Sequence, residues 1–192
     1  MLARLARRKL FKLLACLAVI LILRPMTMVA QQQPTEIQVK AAFLFNFVKF
    51  VEWPAESFRD NGSHLRLCVL GEERFAQELE RIAAGKVVSG RTLEVVRVSQ
   101  RERALHCQIL FIGATQNAMG QKALAESRSE SVLTVGENAE FLRQGGVIHL
   151  FLLDSRIRFE ISLEAAERAG LRVSSKLLAL AQSVRGAPAG GG

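Results

Sequence analysis

Residues 145–181 read GGVIHLFLLDSRIRFEISLEAAERAGLRVSSKLLALA, and this stretch decides the fold. Its opening part, residues 147–153, is apolar on both faces except at His149, which is typical of a strand that lies inside a sheet. Asp154 and Ser155 come next and are able to turn the chain, although Asp-Ser is a weaker hairpin pair than Asp-Gly. The stretch therefore begins with the first strand and the turn of a hairpin.

The residues after this turn alternate between apolar and polar side chains. A period of two predicts a half-buried strand with one exposed face. Ser162 is then expected to cap a helix over LEAAERA that ends at Gly170, and Ser174 to cap a last helix over SKLLALAQSV. The apolar members of the strand are Ile157, Phe159 and Ile161, and its polar members are Arg158, Glu160 and Ser162.

Strand-like and helix-like patterns alternate along the rest of the chain. A capping box of Thr35 with Gln38 predicts a first helix that runs to about Glu52 and ends at Trp53-Pro54. Alternating strands and helices predict an α/β fold. We expect a single domain with a mostly parallel sheet, a C-terminal antiparallel hairpin and flanking helices. The further strands are predicted at 65–70, 92–98, 107–112 and 132–135, and the further helices at 72–84, 100–105, 118–127 and, capped by Asn138, 139–144.

The first helix carries several aromatic residues at helical spacing, among them Phe43, Phe47 and Phe50. Such a wide apolar surface is typical of a helix that is buried on several sides. A second interpretation is that part of this face, together with Trp53, docks a partner or a second copy of the chain.

The net charge of +8 belongs mostly to the first 30 residues, which hold six basic residues and no acidic one. The remainder has 20 basic and 18 acidic residues, so nothing in it indicates nucleic-acid binding. A basic segment up to Lys12, an apolar run over 13–23 and a small residue at Ala30 predict a signal peptide over residues 1–30. The expected domain spans 31–185, and the glycine-rich residues 186–192 are expected to be a disordered tail.

Two other interpretations of the N-terminus are an uncleaved membrane anchor and a lipoprotein modified at Cys16. The apolar run is shorter than the roughly 20 residues that span a bilayer, and it continues well past Cys16. We therefore expect a mature chain in the periplasm with no stable membrane insertion. Cys68 and Cys107 remain after cleavage, either as a disulfide or as two separate buried thiols.

The sequence carries little that indicates catalysis. His64, His106 and His149 have no metal-ligand spacing. His106 precedes Cys107, but a cysteine in a disulfide is no nucleophile. The chain has no G-x-S-x-G motif and no glycine-rich phosphate loop of the usual types. We therefore expect a protein that is not an enzyme and holds no cofactor and no metal.

Two segments carry a resemblance to a known family. Residues 39–54, VKAAFLFNFVKFVEWP, and residues 145–181 are similar to the N-terminal and C-terminal signatures of the YfiR family of periplasmic regulators. The resemblance implies a Cys68–Cys107 disulfide and a homodimer. It also implies a protein that binds the periplasmic domain of an inner-membrane diguanylate cyclase and inhibits it, which controls cyclic di-GMP and biofilm formation. Some members have a second, later disulfide that this chain lacks the cysteines to form.

Four charged residues near the hairpin are candidates for binding a partner or a ligand. Arg158 and Glu160 share the exposed face of the second strand, and Arg172 and Lys176 lie at the junction of the last two helices. Such side chains recognise partners or small anions through charge-assisted hydrogen bonds, although an ordinary solvated surface has the same composition. The resemblance favours the functional interpretation, and above all Glu160 and Arg172.

Two alternatives to a cyclase inhibitor remain open at this point. One is a periplasmic ligand-binding module that feeds another sensor, such as a histidine kinase. The other is a small exported enzyme, which would need a convergent polar pocket that the sequence does not indicate.

Overall fold

The computed structural model describes residues 33–58, 64–98, 106–114 and 118–186, and those from Pro34 onward belong to one compact unit. The predicted signal peptide, the predicted helix at 100–105 and all but the first residue of the predicted tail lie outside the described residues. The helices are α1 (Glu36–Phe50), α2 (Glu73–Ala83), α3 (Ala118–Ser127), α4 (Leu163–Arg168) and α5 (Ser175–Leu180). The strands are β1 (Val51–Glu52), β2 (His64–Leu70), β3 (Val87–Val88), β4 (Arg91–Val98), β5 (Ile109–Ile112), β6 (Leu133–Gly136), β7 (Ile148–Leu153), β8 (Arg156–Ser162), β9 (Arg172–Val173) and β10 (Ser183–Arg185).

Eight of the strands form one sheet in the order β10-β8-β7-β6-β5-β2-β4-β3. The strands β4, β2, β5, β6 and β7 pair in parallel, β8 pairs antiparallel with β7, and β10 pairs in parallel with β8. The central strands β5 and β6 are buried along their whole length, as expected where helices cover both faces of a parallel sheet. The predicted α/β fold with a C-terminal antiparallel hairpin is confirmed.

The first face of the sheet is packed against α1, α2 and α4. Leu44, Phe47 and Val48 of α1 are buried there. Phe159 of β8 lies edge-on to Phe47, with 5.2 Å between the ring centroids. The aromatic residues of α1 are therefore chiefly core, as the first interpretation predicted. Trp53 is also part of the fold, because its Nε1 donates a hydrogen bond of 2.9 Å to the carbonyl oxygen of Gln108.

The second face is covered by α3 and by the turns of residues 137–146. Leu124, Phe141 and Leu142 pack there against the central strands. The predicted helix at 139–144 is wrong, since this segment consists of turns. Asn138 does accept a hydrogen bond, from the backbone of Glu140, but the ring of Phe141 fills the space where Gly136 and Gly146 lack a Cβ. This tertiary packing overrides the local helix signal.

The hairpin turns through Asp154 and Ser155, whose φ angles are 47° and 58°. Positive φ at both central residues is the type I′ arrangement, which suits the twist of a two-residue hairpin. The predicted turn is confirmed. The prediction that residues 147–153 lie wholly inside the sheet is wrong for the last two residues of β7, because Leu152 and Leu153 are 57% and 42% exposed.

Three predicted boundaries also differ from the structure. Helix α1 ends at Phe50, and β1 then pairs antiparallel with β9 in a separate two-stranded sheet. Strand β3 lies between the predicted helix at 72–84 and the predicted strand at 92–98, where no strand is predicted, and it pairs with β4. The last helix ends at Leu180, and β10 follows it at the edge of the main sheet. In each case a short strand forms only because a partner strand lies beside it.

Cys68 and Cys107 form a disulfide, with their Cα atoms 5.9 Å apart. Both residues are buried on the second face of the sheet. The bridge joins β2 to the segment just before β5, which are neighbours in the sheet. Of the two alternatives that the sequence left open, the disulfide is the correct one.

We predict that replacing both cysteines, in Cys68→Ala/Cys107→Ala, lowers the free energy of unfolding by about 4 kcal/mol. The reason is that the bridge closes a loop with a sequence separation of 39 and restricts the unfolded chain. Urea unfolding measures the change. A reducing agent should lower the midpoint of the wild type and leave that of the double variant unchanged. An unchanged wild-type midpoint with both thiols titratable would contradict the prediction.

Candidate functional site

Glu160 lies in β8 opposite His149 of β7, and its carboxylate is held from three sides. Ser183 donates a hydrogen bond of 3.0 Å to Oε1, and Arg185 donates one of 3.4 Å to Oε2. The Nδ1 of His149 is 3.7 Å from Oε2. The side chain of Glu160 is 21% exposed, so this carboxylate is a half-buried anchor between β7 and β10 as well as a surface group.

Alternation along β8 decides which way Glu160 faces. Phe159 packs against Phe43 and Phe47 of α1, so the next side chain points to the opposite face of the sheet. His149 and Phe151 of β7 lie on that face with their rings stacked, 5.2 Å between centroids. The predicted polar face of β8 therefore exists, but at Glu160 it is half-buried rather than solvated.

Arg172 lies in a different environment. It pairs with Glu52 across the β1–β9 ribbon, and the closest nitrogen–oxygen distance is 3.2 Å. Both side chains are strongly exposed, at 86% and 72%, so this ion pair contributes little to stability. Its charged groups are accessible to a partner in solution.

Arg158 and Lys176 are both exposed. Arg158 pairs in register with Phe151, in the half of the hairpin that is nearer the turn. Lys176 lies in the first turn of α5, and its backbone nitrogen donates a hydrogen bond to the side chain of Ser174. Within the described ranges, the polar contacts of Glu160 go to β7 and β10, whereas the ion pair of Arg172 goes to β1. The four predicted residues thus fall into two groups rather than one cluster.

The distal half of the β7–β8 hairpin, residues 150–159, is a further feature of this region. Strand β6 pairs with β7 only at Ile148 and His149, and β10 pairs with β8 only from Glu160 onward. Within the part of the chain that the structure describes, the strand pairing of residues 150–159 is with each other, apart from a backbone hydrogen bond that Gln182 donates to the carbonyl oxygen of Phe159. Leu152 and Leu153 are exposed at the tip. We define residues 150–159 as the hairpin tip.

Sequence reasoning missed several of these functional candidates. Leu152 and Leu153 belong to an apolar run that has the pattern of a buried strand. Ser183 lies within the predicted last helix and Arg185 follows it directly, and neither has a strand signal of its own. Glu52, the partner of Arg172, lies far from it in the sequence. No local pattern reveals these contacts, although the Asp154-Ser155 turn does mark where the exposed tip must be.

Lys40 of α1 is the titratable group with the clearest structural role outside this region. It forms ion pairs with Glu36 and with Glu137, the latter at 2.5 Å. Burial lowers the pKa of Lys40, but hydrogen bonds and charge from Glu137 and Glu36 outweigh burial and hold this pKa above its usual value. A lysine that stays protonated is neither a base nor a nucleophile at neutral pH. In the ranges that the structure describes, no group of histidine, cysteine or acidic residues has the geometry to hold a metal ion.

The model of the family described as YfiR/HmsC-like matches residues 37–182. This match covers well over half of the chain. The chain belongs to the YfiR/HmsC-like family. Proteins of this family are periplasmic and regulatory rather than enzymatic, so the match supports a periplasmic regulatory role. The YfiR/HmsC-like assignment confirms the resemblance that the two signature segments carry.

A solved structure, described as a conserved domain protein from Vibrio cholerae O1 biovar El Tor, is similar in fold. The TM-score is 0.51 at 11% sequence identity, and the match covers 79% of this chain and 60% of that chain. At this identity the likeness concerns the fold alone. Our chain thus spans less than two thirds of the length of that structure. Among the described residues, no helix has the length and apolar character needed to cross a bilayer.

We predict that Glu160→Ala loosens β10, because Ser183 and Arg185 lose the carboxylate that holds them. Hydrogen exchange should show faster exchange of the amides of residues 183–185, and the free energy of unfolding should fall by about 1–3 kcal/mol. The matched control is Arg158→Ala, an exposed residue on the same strand, which should leave this exchange unchanged. Unaltered protection of β10 in the Glu160 variant would show that β10 docks without the carboxylate.

We also predict that Lys40→Met lowers the free energy of unfolding by about 1–2 kcal/mol, since it leaves the partly buried Glu137 without its cation. The pKa of Lys40 is raised on folding from 10.5. The stabilisation is therefore complete below that pH and is lost as pH rises through the higher folded pKa. The difference in the free energy of unfolding between the wild type and Lys40→Met should be constant near neutral pH and should become smaller above about pH 10.5. Lys122 is exposed, so Lys122→Met serves as the control and should show no such difference from the wild type.

Proposed function

We propose that this protein binds the periplasmic sensor domain of an inner-membrane diguanylate cyclase and holds the enzyme inactive. Release of the cyclase would then raise cyclic di-GMP in the cytoplasm and promote biofilm formation. The membership of the YfiR/HmsC-like family supports a regulatory role in the periplasm, and the hairpin tip is the observation that supports a protein partner.

The hairpin tip has the properties of a contact surface. Exposed leucines at 152 and 153 offer apolar area that gains from burial against a partner. The outer edge of β8 carries Arg156 and Arg158, both exposed. Charges on an open edge discourage unspecific strand pairing, and they select a partner with complementary acidic groups. A mixed apolar and basic tip therefore favours a specific protein contact over an enzyme site.

The second group, Arg172 with Glu52, offers a charged contact of another kind. Its ion pair is exposed and weak, so either side chain is able to exchange its partner for one on another protein. Lys176 lies nearby in the sequence, in the first turn of α5. We propose that this group contributes to specificity, while the hairpin tip contributes most of the affinity.

Inhibition by this route is a shift of populations. The protein must bind the inactive conformation of the cyclase more tightly than the active one, and the difference in affinity sets the degree of inhibition. We further propose that the protein acts as a homodimer, in keeping with the family resemblance. Two copies would present two hairpin tips to a dimeric partner.

The test is a pull-down of the full chain, tagged at its C-terminus, from detergent-solubilised membranes of its own host, with mass spectrometry of the captured proteins. We predict capture of a membrane protein that has both a periplasmic sensor domain and a cyclase domain. Leu152→Asp should abolish the capture, and Glu160→Ala and Arg172→Ala should each reduce it severalfold.

Matched controls separate the surface from general effects on folding. Leu180 is also an exposed leucine, and Leu180→Asp should capture the partner as the wild type does. Arg74→Ala is the corresponding control for Arg172, because Arg74 is exposed on α2. Capture of a histidine kinase in place of a cyclase would overturn the proposed partner. Equal capture by Leu152→Asp and Leu180→Asp would overturn the assignment to the hairpin tip.

A further inference from the structure

We propose that a cavity between α3, the turns of residues 137–146 and α4 binds a small organic anion with a compact apolar body. The cavity has a volume of about 420 Å³, which lies within the range of pockets that hold small molecules. None of the residues discussed for partner binding lines it.

Three arginines line this cavity, one from each of its walls. Arg128 comes at the end of α3, Arg143 from the turns, and Arg168 from the end of α4. The lining includes no acidic residue. Three guanidinium groups around one cavity create a positive potential, and their planar forks suit the oxygen atoms of a carboxylate or a phosphate.

Each arginine has a polar contact with another residue of the protein, and none of these contacts comes from an acidic residue that lines the cavity. Arg143 forms an ion pair with Glu140, and Arg168 with Glu164, and neither glutamate lines the cavity. The side chains of Arg143 and Arg168 are 66% and 56% exposed. Exposed pairs of this kind are worth at most about 1 kcal/mol. An anion in the cavity is therefore able to recruit both guanidinium groups at little cost.

Arg128 is held more firmly. It donates a hydrogen bond of 2.5 Å to the carbonyl oxygen of Gln144. The next residue, Gly145, has a φ of +89°, and a Cβ there would lie 3.2 Å from Nε of Arg128. The glycine thus permits both the left-handed backbone and the close approach of the guanidinium. This arrangement orients Arg128 before any ligand arrives, which reduces the entropy lost on binding.

The floor of the cavity is apolar. Leu124, Val132 and Val147 are buried there. The hydroxyl of Thr134 already accepts a hydrogen bond of 3.0 Å from the backbone nitrogen of Val147. A ligand that places an apolar group on this floor and its anionic group among the arginines satisfies both parts of the cavity. An inorganic ion leaves the floor uncovered, so an anion with an organic body should bind more tightly.

The test is isothermal titration calorimetry of the full chain with four probes. These are phenyl phosphate and phenylacetate as anions, benzyl alcohol as a neutral compound of similar shape, and inorganic phosphate as an anion without an apolar body. We expect at least one of the two organic anions to bind, with benzyl alcohol and inorganic phosphate each at least about tenfold weaker, a difference of about 1.4 kcal/mol.

The variants distinguish the cavity from the general charge of the protein. Arg143→Gln and Arg168→Gln should each lower the affinity for the organic anion by about tenfold. Arg74 is an exposed arginine of α2, and Arg74→Gln should leave this affinity unchanged. Ala169→Leu fills the cavity while keeping all three arginines, and it should abolish binding. Thermal unfolding of each variant checks that the fold is intact.

Two results would overturn the proposal. The first is that neither organic anion binds the wild type more tightly than benzyl alcohol. The second is that the variants of Arg143, Arg168 and Ala169 bind the organic anion with the same affinity as the wild type and Arg74→Gln. Because Leu152 and Arg172 lie outside the cavity, their pull-down result is independent of this one. Failure of either proposal leaves the other standing.

Discussion

The alternation of side chains along β8 is the constraint on which most of this structure depends. Phe159 and Ile161 are buried against the helix layer, and Glu160 between them faces the other side of the sheet. A shift in register by one residue would bury the carboxylate against α1 and expose the aromatic ring. The core and the polar face of the hairpin are thus fixed by the same pattern, and neither can change without the other.

That pattern also determines how the C-terminal segment is attached. After α5, the chain returns to the sheet as β10, where Gln182 donates its backbone hydrogen bond to Phe159 and Ser183 bonds to Glu160. A three-residue edge strand has few backbone bonds of its own. The Glu160 carboxylate adds hydrogen bonds from Ser183 and Arg185 to this backbone pairing, and it links the sheet edge to the segment that follows α5.

The features that follow from local chemistry could be predicted from the sequence. The caps at Thr35, Ser162 and Ser174 all form as expected, because a side-chain oxygen and a nearby amide need no distant partner. Features that depend on distant partners could not be predicted. The hydrogen bond from Trp53 to Gln108 and the Glu52–Arg172 pair join residues far apart in the chain. The arginine cavity is of this second kind, since its three guanidinium groups come from three separate elements.

The burial of Glu160 changes how a mutation at this position is interpreted. A solvated carboxylate that touches a partner would act only through that contact. Here the carboxylate holds β10 and lies close to His149 of the neighbouring strand, so its removal alters the edge of the sheet before any partner arrives. Arg158 shares the strand and the face but is exposed. If a Glu160 variant loses binding and an Arg158 variant does not, the partner recognises the shape of this edge. If both variants lose binding, the partner contacts the charged face of β8 directly.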